Sequence, residues 1–159
     1  MNLFTGEEAD AFFGGELPPT VRHLVAQARG QRREEAAVAL WAAVLIAPQA
    51  LPVYYLLYKL HAGIGELELA LRAAERGLSA AAAAAGLQAD WRQVGPQDAD
   101  FRQPGPARFW LFTLKAQAFL HTRRGDSALA AAILQRLQLL DPQDQVGAGV
   151  VASMLRASG

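Results

Sequence analysis

A chain of 159 residues, 52% of them hydrophobic, is long and apolar enough to build one domain around a core, which excludes disorder as its main state. Lys plus Arg and Asp plus Glu both number 15, so the formal charge is zero and no global field favours nucleic acid or an anionic membrane. The absence of cysteine excludes disulfides, thiol catalysis and cysteine-bound metal.

The N-terminus, MNLFTGEEADAFF, is acidic and lacks the charged-then-apolar layout of a signal peptide. With the missing cysteines, this fits a cytoplasmic protein. Thr5 and Glu8 have capping-box spacing, in which the Thr5 hydroxyl accepts from the Glu8 amide while Glu8 reaches back. A short helix is expected from there to Phe13, stopping at Gly14 and Gly15. Pro18 and Pro19 suit the first turn of the next helix, which ends near Arg29 and Gly30. Leu24 and Ala28 recur at the spacing of a buried face.

Residues 31–47 read as a second long helix with Val38, Leu40, Trp41, Val44 and Leu45 on a broad apolar face. It stops at Ala47, because the residue before a proline is pushed out of the helical region. A third helix is expected over 51–62 and a fourth over 66–85, with Gly63 and Gly65 between them. The charge-free apolar run 36–58 contains Pro48 and Pro52, which split it into two short helices rather than a membrane span. Six alanines at 80–85 extend the fourth helix up to Gly86.

Residues 86–106 change character, being rich in Gly, Pro, Asp and Gln. They read as a long insert with one helical turn begun at Asp90. Loops of this length are often functional. A fifth helix is expected over 107–122 and a sixth over 126–140, with Gly125 between them and Asp126 as the cap. Asp144 would cap a last helix, 144–157, with Val146, Val150, Val151 and Leu155 on one side. No segment has strand alternation of adequate length.

A period runs through this order. Ala36 and Ala70 stand 34 positions apart, each near the start of a second helix, and Ala130 is the third such residue. Between Ala70 and Ala130 lie 26 positions more than one period, and the alanine tail and insert account for them. Small residues are required where two helices cross closely. Glycines separate the paired helices, and Pro48 and Pro142 follow two of the second ones.

These features resemble the tetratricopeptide repeat family, whose unit is a 34-residue helix–turn–helix. The best match runs Trp110, Leu114, Ala118, Gly125, Ala130, Leu134, Leu137, Pro142. The central unit matches through Tyr54, Tyr58, Gly65, Ala70 and Ala74, and the first through Leu24, Ala36, Leu40, Ala43 and Pro48. The match departs at Thr20, where a large residue is usual, and at Ala82, where proline is usual. The resemblance implies an all-α single domain, a short α-solenoid of hairpins at 17–50, 51–85 and 107–142 with flanking capping helices. The texture DWRQV…DADF…RFWLFTLKA is also similar to that of small bacterial repeat proteins, some encoded near nitrogen-fixation genes.

In such an array the first helix of each pair lines the inner face. Carried over position by position, that face would comprise Val21, Arg22, Val25 and Arg29; Tyr55, Leu56 and Lys59; and Phe112, Lys115, Phe119 and Arg123. Aromatic and aliphatic anchors with basic side chains suit an amphipathic or acidic segment of another protein. The expected work is therefore that of a non-catalytic adaptor, assembly factor or chaperone. The bland alternative is that the same residues pack against the insert or the terminal helices. Trp91 and Phe101 in the insert would either contact a partner or plug a gap between the second and third units. A second functional class is a self-associating oligomer, with the last helix and Trp41 or Trp110 at a two-fold interface.

Chemistry is thin. His61 and His121 hold equivalent places but lack converging ligands, so hydrogen-bonded seam histidines are expected rather than a metal site. No nucleophile elbow, phosphate loop or fixed carboxylate pair is present. No cofactor, nucleic acid or membrane partner is expected.

Overall fold

The computed structural model describes residues 17–158, and the capping box at Thr5 and Glu8 lies outside them. Seven α-helices and one 3-10 turn follow in order: α1 (Pro19–Arg29), α2 (Arg33–Ile46), α3 (Leu51–Gly63), α4 (Leu67–Ala85), the turn Trp91–Gln93, α5 (Pro106–Arg124), α6 (Ser127–Leu140) and α7 (Ala148–Ser158). No strand occurs among the described residues. Each helix from α1 to α6 packs on the next, α3 also touches α5, and α7 lies against both α5 and α6.

The three alanines share one position in their helices. Each is the fourth residue of its helix, each is fully buried, and each donates its N–H to the carbonyl at the helix entrance: Ala36 to Arg32 at 2.8 Å, Ala70 to Glu66 at 3.0 Å and Ala130 to Asp126 at 3.0 Å. The turns before α4 and α6 are also alike. Glu66 N–H reaches the His61 carbonyl at 2.9 Å, Asp126 N–H reaches the His121 carbonyl at 2.9 Å, and Gly65 and Gly125 both sit at positive φ, 79° and 93°. A side chain at either glycine would strain that backbone. The ends of α2 and α6 match in turn, Ala47 at φ −137°, ψ 80° and Asp141 at φ −134°, ψ 68°, each followed by proline. The second hairpin has Ala82 at the comparable place, so α4 runs on to Ala85 and stops at the left-handed Gly86.

Gly77 marks a close crossing. A Cβ there would stand 2.8 Å from the Cβ of Tyr54 and 3.5 Å from the Phe109 ring, so α4 passes tight over α3 and α5 only because this residue has none. The core continues through Phe109, Trp110, Leu40, Leu57, Leu60, Leu114 and Leu120, all closed to solvent.

Three local expectations are corrected. Asp126 does not cap α6 with its side chain; the carboxylate instead takes His121 Nδ1 at 3.2 Å and Arg124 Nε at 3.3 Å. The last helix starts at Ala148 rather than just after Asp144, because Asp144 itself turns to φ 54° and Asp141 holds the N–H groups of Gln145 and Val146 at 3.0 and 2.9 Å. Asp144 still caps from outside, accepting the Gly149 N–H at 3.1 Å. Pro106 belongs to α5 rather than to the insert, at a first-turn position where its missing N–H costs nothing.

Candidate functional site

A groove between α3, α5 and α7 encloses about 660 Å³. Its floor comes from helical spacing. On α3, Tyr55, Lys59 and Ala62 recur at steps of four and three, and on α5, Phe112, Ala116, Phe119 and Arg123 do the same, so each set shares a face. Val150, Val151 and Met154 of α7 make the opposite wall.

Each cation on the floor stands near an aromatic ring. Lys59 Nζ lies 5.0 Å from the Tyr55 ring centre, Lys115 Nζ 5.2 Å from that of Phe112, and Arg123 5.8 Å from that of Phe119. These are cation–π distances, and they keep long side chains over the apolar surface with their charge toward solvent. Among the described residues no carboxylate lines the groove.

Lys115 has a second duty. Its Nζ donates to the Val146 carbonyl at 2.7 Å, which ties α5 to the approach of α7. Burial holds its pKa below the usual lysine value; Lys59 pushes the same way and Asp144 opposes. Lys115, expected as a steering charge, is partly buried and also ties down the groove's wall.

Six of the expected partner-binding residues thus meet in one groove: Tyr55, Lys59, Phe112, Lys115, Phe119 and Arg123. Leu56 does not reach it; at 1% exposure it belongs to the core. Arg22 and Arg29 are exposed on α1 but outside the groove, and Arg22 donates to the Leu17 carbonyl at 3.1 Å. Val21 and Val25 are buried. The α7 wall and Tyr58 were missed as groove residues. The apolar side of the last helix, already legible at Val150 and Val151, was the available signal for that wall.

The insert stays out of the groove. Phe101 is buried with its ring centre 5.7 Å from that of Trp110, Val94 is buried, and the Val94 carbonyl accepts from Arg136 of α6 at 3.1 Å. Trp91 is half-buried beneath Arg92, while Asp90, Asp98, Asp100 and Arg102 remain exposed. The gap-filling alternative fits this arrangement, and a lid across the groove does not. Trp110 is fully buried, which removes it from any two-fold interface.

The histidines sit on the seams. Indole N–H can only donate, so the 3.0 Å bond from Trp41 Nε1 requires a bare Nε2 on His61; the proton is on Nδ1, which donates to Glu66 at 3.0 Å. Among the described residues no group of three or more His, Cys, Asp or Glu is placed to hold a metal ion. Likewise, no described helix is long and apolar enough to cross a membrane.

Compared with protein-family models, curated proteins and solved structures, the chain matches none.

Proposed function

We propose that the chain is a non-catalytic protein-interaction module, a short solenoid of tetratricopeptide-like hairpins that takes a partner segment in the groove between α3, α5 and α7. One observation carries this reading: an aromatic floor with three cations around it and, among the described residues, no carboxylate, gathered from two different hairpins and the last helix. Such a surface rewards a segment with apolar side chains on one side and acidic ones on the other. The apolar contacts supply affinity, and the cations set approach and orientation. The role proposed on this ground is that of an adaptor, assembly factor or chaperone.

The test is calorimetric titration with a 16-residue peptide carrying Phe at helical spacing and Glu elsewhere. Lys59→Glu with Arg123→Glu reverses two rim charges and leaves the Lys115 tether in place. Binding is expected to weaken at least tenfold and to lose most of its salt dependence. Unchanged affinity and an unchanged salt slope would contradict the proposal.

Self-association is the second reading. It is favoured by the exposed Val38, Leu45 and Ile46 on α2 and by Val150 on α7. Light scattering tests it, and a monomer at all concentrations excludes it.

A further inference from the structure

Val146 is held from two sides. Its N–H donates to Asp141, at the end of α6, at 2.9 Å, and its carbonyl accepts from Lys115 of α5 at 2.7 Å. Val146 is buried, and α7 begins just beyond it, at Ala148. The same Lys115 ammonium stands 5.2 Å from the centre of the Phe112 ring on the groove floor. One side chain therefore touches both the floor and the chain that carries the facing wall. We propose that α7 is a movable wall whose seating is coupled to occupancy of the groove, with Lys115 as the positioning residue that joins the two. The inference rests on the groove reading above and adds how that site closes.

The wall is lightly set. Among the described residues of α7, Val151 alone is buried, whereas α1, also of 11 residues, buries Val21, Val25 and Ala28. Val150 and Met154 line the groove, yet Val150 is 68% exposed and Met154 only half-buried. A segment lying on Phe112 and Phe119 can also cover Val150 and Met154, and it gains that second contact only while α7 is seated. A ligand that binds the seated form better draws α7 in, and by linkage a seated α7 holds the ligand more tightly.

Lys115 sets how far α7 is seated before anything binds. Without its donor the part-buried Val146 carbonyl loses its partner on α5, which favours release of the segment leading into α7. A smaller seated fraction lowers the apparent affinity by the same factor. This applies to an uncharged ligand as much as to an acidic one, which separates positioning of the wall from steering by charge. Lys59 provides the contrast, since its ammonium lies over the Tyr55 ring of α3, 5.0 Å from the centre.

The probe is a neutral 16-residue peptide with Phe at helical spacing and Gln elsewhere, titrated calorimetrically into the full-length protein. Lys115→Met is expected to weaken binding about tenfold, while Lys115→Arg, which keeps a donor for Val146, and Lys59→Met stay within about twofold of the unaltered chain. In the unaltered chain, hydrogen exchange across 148–158 should slow about tenfold when the peptide is added. Exchange there that is unchanged by a peptide that shifts the Ala62 and Ala116 amides would overturn the movable wall and leave the groove reading standing. So would equal affinities for Lys115→Met and the unaltered chain, or an equal loss in Lys59→Met. A peptide that shifts neither Ala62 nor Ala116 would sink both readings.

Discussion

His61 and His121 stand 60 positions apart and make the same bond: each offers Nδ1 to the carboxylate five residues on, at 3.0 Å to Glu66 and 3.2 Å to Asp126. Both rings are buried at the end of the first helix of a hairpin, and both carboxylates start the second. The bond therefore staples the turn. The two differ on the other nitrogen, where His61 alone accepts from Trp41 of the preceding hairpin.

That difference ranks two variants. His61→Ala removes the staple and leaves the part-buried Trp41 indole without its acceptor, a loss of about 2–3 kcal/mol. His121→Ala removes only the staple, about 1–2 kcal/mol. Urea denaturation of both should give the lower midpoint to His61→Ala. Equal midpoints would deny Trp41 its role between hairpins.

Gly77 marks a close crossing of α4 over α3. Gly77→Ala places a methyl 2.8 Å from the Tyr54 Cβ, an atom with no rotamer to escape through. Overpacking of this kind costs about 1–3 kcal/mol, against the gain of up to about 1 kcal/mol that alanine brings to a helix interior. A net loss of about 1–2 kcal/mol is expected by denaturant unfolding. A stabilised protein would show that α3 and α4 have slack at their crossing.

Alkaline stability should be governed by two tyrosines. Burial raises the pKa of Tyr58 and of Tyr54, with Arg76 opposing at Tyr54, whose hydroxyl donates to the Pro48 carbonyl at 2.6 Å. The unfolded chain then releases these protons first, so stability is whole below pH 10 and falls as pH rises above it, by up to about 1.4 kcal/mol per pH unit for each group. Lys115 acts oppositely: its lowered folded pKa makes the unfolded state bind more protons, so its contribution rises with pH until about 10.5. Tyr58→Phe should flatten the loss above pH 10 in a series of urea melts. An unchanged slope would mean that Tyr58 ionises in the folded state.

Lys115→Met keeps the stem over Phe112 and removes the donor to Val146. Hydrogen exchange should quicken in α7 and the segment before it, with little change in α1 and α2. Uniform protection would show that α7 is held by its apolar contacts alone.

Much of this was legible because local sterics wrote it. Alanine at a close crossing, glycine at positive φ and proline after a helix end each have one physical reason, and they recur at matching places. The inner-face register was legible for Tyr55 and Lys59 but failed one residue on, since a helix turns Leu56 about 100° away into the core. Arg22 and Arg29 failed for another reason. The groove's second wall is α7, whose position depends on packing against α5 and α6 and on the turn at Asp144, and periodicity carries neither. Asp126 was read as a cap because spacing alone does not reveal that His121 and Arg124 claim its carboxylate.

The groove is what function hangs on, and amide shift mapping in full-length protein tests it most directly. With the acidic Phe/Glu peptide at low salt, shifts should gather at Ala62, Ala116, Phe119 and Met154 and vanish in Lys59→Glu with Arg123→Glu. Shifts gathered instead around Val38 and Leu45 on α2, or none at millimolar peptide, would contradict the account.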